Sequence, residues 1–139
     1  WDRIFAVNVK GIYHCVNAAM PGFLQKQAGC IITVSSMWGQ VGASYEAAYS
    51  ATKGAVIALT KALAKELAPS NIQVNAAAFG AIDTDMMKEY SSEDIRLICD
   101  EIPADRLGTP TEAAELILGI AKSPGYLTGQ IITMDGGWY

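Results

Sequence analysis

Cys30-Ile31-Ile32-Thr33-Val34-Ser35 is a short β-branched run without polar alternation, closed by Ser36. Such a run predicts a strand covered on both faces, as in a parallel sheet. Ile72-Gln73-Val74-Asn75-Ala76-Ala77-Ala78-Phe79 reads as a second strand, weaker because alanines fill its second half. Between them, a glycine-containing loop from Met37 to Glu46 leads into a helix predicted from about Ala47 to Leu67 and stopped by Pro69. Strand, helix and strand in this order make a βαβ crossover, the connection that joins parallel strands.

Upstream, Phe5, Ile12, Cys15, Ala19 and Phe23 recur at helical steps between Asp2 and Gln27, with Asn8 on the same face. Pro21-Gly22 predicts a kink or a broken last turn, and Gly29 the end of the helix. Downstream, residues 80–110 are acidic and too long for an ordinary connection, and they read as a lid. Thr111 is the expected cap of the next helix, with Glu112 and Glu115 in the first turn where its dipole favours negative charge. That helix runs to about Lys122, and Gln130-Ile131-Ile132-Thr133-Met134 is a third strand before Asp135-Gly136-Gly137. The prediction is an α/β protein: three parallel strands with flanking helices, half of a doubly wound sheet whose ligands sit beyond the carboxyl ends of the strands. The first strand would have an unpaired edge, so a missing N-terminal strand should lie beside it. Trp1 in place of an initiator Met points the same way, to a single partial domain over residues 1–139 of a longer subunit.

With 51% hydrophobic and 17% charged residues the chain has the balance of a folded domain. Ten basic and fourteen acidic residues give a net charge of -4 with no basic run, so the footprint of a nucleic-acid binder is missing. Apolar stretches are interrupted too early for a membrane span, and no signal-peptide pattern opens the chain. Cys15, Cys30 and Cys99 are odd in number and lack metal or redox spacing, so three reduced thiols packed as small buried hydrophobes are expected in a cytoplasmic protein.

The chemistry centres on Tyr49 and Lys53, four residues apart on one helix face. A tyrosine titrates near ~10, and an ammonium within ~4–6 Å can lower that by ~1–3 units, favouring proton exchange near neutrality. Ser36, thirteen residues before Tyr49, ends a strand where its hydroxyl can face the phenol across a small carbonyl. Two donors could then polarise one oxygen. Asn8 on an apolar face needs partners for its amide, through a structural bridge or a held water.

These residues resemble the short-chain dehydrogenase/reductase family. The matching stretches are Asn8-Val9-Lys10-Gly11, Ile31 to Ser36, Tyr49-Ser50-Ala51-Thr52-Lys53, Val74-Asn75 and Gly80-Ala81-Ile82-Asp83-Thr84, in order and at family spacing. The resemblance implies the C-terminal half of a Rossmann-type sheet and hydride transfer from NADP or NAD, with NADP favoured. Tyr49 would protonate the carbonyl oxygen, Ser36 orient it, and Lys53 tune Tyr49 while holding the nicotinamide ribose. Asn8 would anchor a water of the proton relay, and Gly80, Ile82 and Thr84 would meet the cofactor. The glycine-rich phosphate turn belongs to the half that is missing, and Gly39-x-x-Gly42 is no substitute. Phe79 stands where the family usually has Pro, and its ring is expected close to the nicotinamide.

Ile102 to Pro110 and Leu127 to Gly137 resemble 3-oxoacyl-(acyl-carrier-protein) reductases, which implies a carrier-bound or small-molecule carbonyl substrate. Between Asp83 and Arg106, however, eight acidic residues face three basic ones, a balance that repels an acidic carrier. Ser36-Met37-Trp38-Gly39 through Leu67-Ala68-Pro69 also resembles reductases of the 5-aminopentanone modification on elongation factor P, whose cationic substrate would suit that charge. Trp38 is a candidate pocket wall. Ala51, Ala55, Ala58 and Ala62 make a small-residue face, which packs either on its own sheet or, by family resemblance, in a homodimer or homotetramer contact of the two long helices. A non-catalytic assembly fragment is the reading from another class. A serine hydrolase is opposed by the lack of a G-x-S-x-G elbow and by the position of the sole histidine, His14, on the first helix.

Overall fold

Residues 1–139 are all described by the computed structural model, and three parallel strands organise them. The chain opens with α1 (Asp2–Phe5), a π-helical turn (Ala6–Lys10) and α2 (Gly11–Lys26), which run on from one another. Then come β1 (Gly29–Ser36), α3 (Trp38–Val41), α4 (Ala47–Leu67) and β2 (Ile72–Phe79). A 3-10 turn (Asp85–Glu89), α5 (Ser92–Glu101), α6 (Pro110–Ala121) and β3 (Ile131–Met134) complete the fold. The sheet order is β1-β2-β3, all parallel, with Gly29 opposite Ile72 and Ser36 opposite Phe79. The predicted βαβ crossover and α/β class are what the chain adopts. No helix is long and apolar enough to cross a membrane.

α4 packs on β1 and β2 through Thr52, Val56, Thr60, Ala64 and Leu67, a buried stripe at steps of four, four, four and three. Ala64, Leu67, Ile72 and Val74 form the core cluster, with Met20, Phe23, Ile31 and Leu63 against it. Full burial of a Val or Ile side chain stabilises the fold by about 1.5–3 kcal/mol. Ala51, Ala58 and Ala62 face outward and Ala55 is half-buried, so the small-residue face does not pack on its own sheet. Buried Asn75 clamps the approach to β3: its Nδ2 donates to the Leu127 carbonyl (2.9 Å) and its Oδ1 accepts from the Gln130 amide (3.0 Å).

The first strand is covered unevenly. Thr33, Ser35 and Ser36 are buried, while Cys30 is exposed and Val34 is 44% exposed. Residues 30, 32, 34 and 36 share a face in a strand, and that face is open at Cys30 and Val34 but closed at Ser36. The cysteines correct the prediction: Cys15 and Cys30 are exposed and Cys99 is half-buried.

The helix at the start of the chain also departs from its predicted phase. Inward positions are Phe5, Asn8, Ile12, Val16, Met20 and Phe23, whereas Cys15 and Ala19 are exposed. Phe5, Asn8, Ile12 and Phe23 keep the predicted face, and within the regular α2 the steps from Ile12 to Val16, Met20 and Phe23 carry that face past Cys15 and Ala19. The helix continues through Pro21 to Lys26, and Gln27, in the left-handed region at φ 51°, caps it; Gly29 begins the strand instead.

Residues 80–110 fold back on the sheet's carboxyl end. Ile82 bridges Gly108, and the Gly108 amide donates to the Ala81 carbonyl at 3.0 Å. Thr109, not Thr111, caps α6: Pro110 occupies the first turn, where its missing amide is no loss, and Thr109 and Glu112 form a reciprocal capping box.

Candidate active site

Parallel strands all end at the same side of a sheet, so the residues that follow β1, β2 and β3 converge there. Ser36 is the last residue of β1, Gly80 follows β2 and Asp135 follows β3. The loop after β1 turns into α3, and α4 then starts beside it, putting Tyr49 in its first turn. A cavity of about 670 Å³ opens at this junction, lined by Ser36, Trp38, Tyr49, Gly80, Ile82 and Thr84. Met86, Met87, Tyr90 and Ile98 form its outer side, and Glu46, Glu101 and Trp138 complete the charged and aromatic rim.

Ser36 and Tyr49, predicted to share one point in space, do share this cavity. The Ser36 hydroxyl accepts from the Trp38 amide at 3.2 Å, so its own proton remains free for another acceptor. Lys53 lies one turn behind Tyr49, with Nζ over the ring at 5.5 Å from its centroid and donating to the Val34 carbonyl at 3.1 Å. The adjacent Ser35 hydroxyl donates to the Lys53 carbonyl at 2.9 Å and ties α4 to the strand end.

The electrostatics correct one expectation. Burial pushes the Tyr49 phenol above its ordinary value, the hydrogen bond with Ser36 pulls it down, and the Glu46 charge raises it further. Lys53, itself half-buried, has its ammonium pushed below the ordinary lysine range by burial. Burial is the largest influence on the phenol, while the Lys53 ammonium sits over the ring face and is bonded to a carbonyl. Tyr49 is therefore held in its protonated form.

Asn8 does not line the cavity. It sits in the π-helical turn, and its Nδ2 donates to Thr52 Oγ1 at 3.1 Å. Thr52, wholly buried, donates in turn to the Tyr49 carbonyl at 2.7 Å. Of the two uses predicted for this amide, the bridge is the one its side-chain donor makes. Phe79 is likewise absent from the cavity lining, although Gly80 is present.

Trp138, Glu46, Glu101 and Thr52 are site residues that the sequence reading missed. Thr52 lies inside the Tyr49–Lys53 segment, and its hydroxyl at a buried helix position was a usable signal. Glu46, three residues before Tyr49, was within reach of the same helical reasoning. Trp138 and Glu101 reach the cavity only through long-range folding.

The family model described as Enoyl-(Acyl carrier protein) reductase matches residues 1–139. The uncharacterized oxidoreductase YmfI of Bacillus subtilis is 43% identical over 139 residues, 99% of this chain and 57% of that protein. The 3-oxoacyl-[acyl-carrier-protein] reductase FabG of Staphylococcus aureus is 41% identical over 140 residues, 100% of this chain and 57% of that protein. The chain thus spans a little over half the length of these curated relatives. A crystal structure of 3-oxoacyl-[acyl-carrier protein] reductase from Brucella melitensis superposes with a TM-score of 0.95 at 35% identity, covering 100% of this chain and 53% of that one. A second Brucella melitensis reductase structure, with bound NAD, gives 0.89 at 35% identity over 100% of this chain and 52% of that one. ElxO with NADP bound gives 0.88 at 32% identity over 94% of this chain and 54% of that one. Sequence and fold agree along the whole chain, which belongs to the short-chain dehydrogenase/reductase family of oxidoreductases.

Proposed function

We propose that this chain is the catalytic part of an NAD(P)H-dependent reductase that converts a ketone to a secondary alcohol, with 3-oxoacyl groups on acyl carrier protein as substrate. One observation carries the reading: Ser36 and Tyr49 line a single cavity at the carboxyl end of the sheet, with Lys53 one turn behind Tyr49. The names of the relatives and the NAD and NADP of the solved neighbours support the substrate and cofactor classes.

The residues present fit the nicotinamide end of such a cofactor. Gly80, Ile82 and Thr84 line the same cavity, and the Lys53 ammonium has two donors left beyond the one on Val34 for ribose hydroxyls. Bound there, a reduced nicotinamide supplies the hydride. Ser36 donates to the substrate oxygen as negative charge develops on it, and Tyr49 delivers the proton that completes the alcohol. Thr52 and Asn8 hold the first turn of α4 so that the phenol keeps its aim. The diphosphate would be held by a dinucleotide-binding half such as the longer relatives have room for. Residues 80–110 act as the lid, and the outward alanines of α4 pair subunits in a homodimer or homotetramer whose mass light scattering would read.

The test is NADPH oxidation with acetoacetyl carrier protein by a subunit in which this chain follows a dinucleotide-binding half. Tyr49→Phe should lower kcat by about 10²- to 10⁴-fold. Full turnover by the variant, or none by the parent, would reject the proposal; the latter outcome would favour an assembly role.

A second reading draws on the cavity charge. Glu46 and Glu101 line it and no Lys or Arg does, a setting that suits a cationic ketone such as the 5-aminopentanone group on elongation factor P. Faster reduction of an amino-ketone than of a neutral 3-oxoacyl thioester would favour this substrate over the carrier-bound one.

A further inference from the structure

The structure assigns Trp138 a specificity role: paired edge-on with Trp38, it closes one side of the cavity and limits the bulk of the group carried next to the substrate carbonyl. The inference rests on the reductase reading but concerns a residue outside the Ser36, Tyr49 and Lys53 set. The two rings come from opposite edges of the sheet. Trp38 follows β1 and Trp138 follows β3, yet their centroids lie 5.2 Å apart at an interplanar angle of 68°. Both line the cavity that holds Ser36 and Tyr49. Edge-to-face contacts of this kind contribute about 0.5–1.5 kcal/mol beyond their area burial.

Each ring is held by its own backbone. A Cβ on Gly39 would lie 2.6 Å from the Lys53 carbonyl carbon, so only glycine lets α3 approach α4 closely enough to place Trp38 here. The Trp38 amide is also fixed on Ser36 Oγ. On the other side, Asp135 accepts from the amides of Gly137 and Tyr139, both at 3.0 Å, which curls the segment that carries Trp138. Gly136 and Gly137 adopt φ of 70° and 85°, which L side chains rarely do, and the Ala104 amide donates to the Gly136 carbonyl at 3.0 Å. Trp138 is thus built into this wall by a turn that the loop at Ala104 holds in place. A wall whose backbone is held at both ends discriminates by bulk, because a ring that turns aside gives up the edge-to-face contact with its partner.

The experiment compares acetoacetyl-N-acetylcysteamine with its 4-phenyl analogue, using a subunit that joins this chain to a dinucleotide-binding half, and the variants Trp138→Ala and Trp138→Phe. Two readouts are taken: the ratio of kcat/KM values, and the ratio of dissociation constants from calorimetry, which needs no turnover. Trp138→Ala should shift both ratios toward the phenyl substrate by about tenfold or more, with Trp138→Phe in between. Turnover retained with unchanged ratios overturns the gate and leaves the reductase reading standing. A shifted binding ratio in a protein that reduces neither ketone supports the gate and rejects the reductase reading. Failure of every variant and the parent to bind either ketone overturns both.

Discussion

Lys53 Nζ lies 5.5 Å from the centroid of the Tyr49 ring while it donates to the Val34 carbonyl at 3.1 Å. One of the three ammonium donors is thereby taken by the strand, and the phenol titrates under burial, Ser36 and Glu46. The pair is thus best described as a buried donor backed by a cation, and its pH behaviour can be tuned from the Glu46 side.

Ketone reduction needs the protonated phenol, so the rate should fall as pH rises through the Tyr49 pKa, which burial holds above its ordinary value. Glu46→Gln removes a charge that raises this pKa; the alkaline decline should then begin at lower pH. Ser36→Ala removes a hydrogen bond that lowers it, and should move the decline upward while cutting kcat by about 10²- to 10³-fold. pH-rate profiles of the two variants that shift in the same direction would contradict the assignment.

Stability should respond unequally to two buried threonines. Thr60 donates to the Val56 carbonyl at 2.8 Å, so the 2.7 Å contact between Thr33 and Thr60 hydroxyls uses the Thr33 proton. Thr60→Val strands that proton, with only the Asn75 carbonyl at 3.5 Å as a fallback. A loss of about 1–3 kcal/mol is expected. Thr33→Val leaves Thr60 bonded to Val56 and should cost less. Urea titration of both variants, and of the double variant, gives the order.

Much of this architecture could be read directly from local pattern. The strand at Cys30–Ser36, the α4 helix and the Ser36, Tyr49 and Lys53 set all lie within one βαβ unit, where hydrophobic period and spacing report on contacts the chain makes with itself. The inward face of α2 was only partly legible, because helical steps of three and four from Ile12 to Phe23 can run through Cys15 and Ala19 as well as through Val16 and Met20, and composition does not choose between them. The uneven cover of β1 was not legible for a related reason: apolar composition shows what a face is suited to bury, and Val34 stays 44% exposed all the same. Trp138 joined the site only through the parallel pairing of β2 with β3, a contact that no window of sequence contains.

The Arg106 guanidinium grips Glu112 through Nη1 (2.9 Å) and Nη2 (2.6 Å), and the amide and hydroxyl of Thr109 add two more bonds. Together they hold the Glu112 carboxyl down from its ordinary 4.5 to about 2. A depressed carboxylate pKa contributes stability above the unfolded value that disappears as pH falls through the folded one. The stability gap between the parent and Glu112→Gln should therefore be full above about pH 4.5 and close towards pH 2. Denaturant midpoints for both proteins across that range measure it, and a constant gap would show that the carboxylate charge is not what matters.

Thr52 joins two parts of the site that are 44 residues apart in sequence, receiving the Asn8 amide and donating to the Tyr49 carbonyl. Thr52→Val keeps the shape and removes both bonds, leaving a half-buried amide and a first-turn carbonyl without this partner, at about 1–3 kcal/mol of stability. If Thr52 only stabilises, activity per folded molecule should stay unchanged. If it aims the phenol, kcat should fall with KM for the ketone little altered, since binding precedes the proton transfer that depends on Tyr49. Thr52→Ser restores the hydroxyl without the methyl and should recover kcat before it recovers full stability. Equal kcat in the Val and Ser variants, corrected for folded fraction, would reduce the Asn8–Thr52–Tyr49 chain to a packing feature.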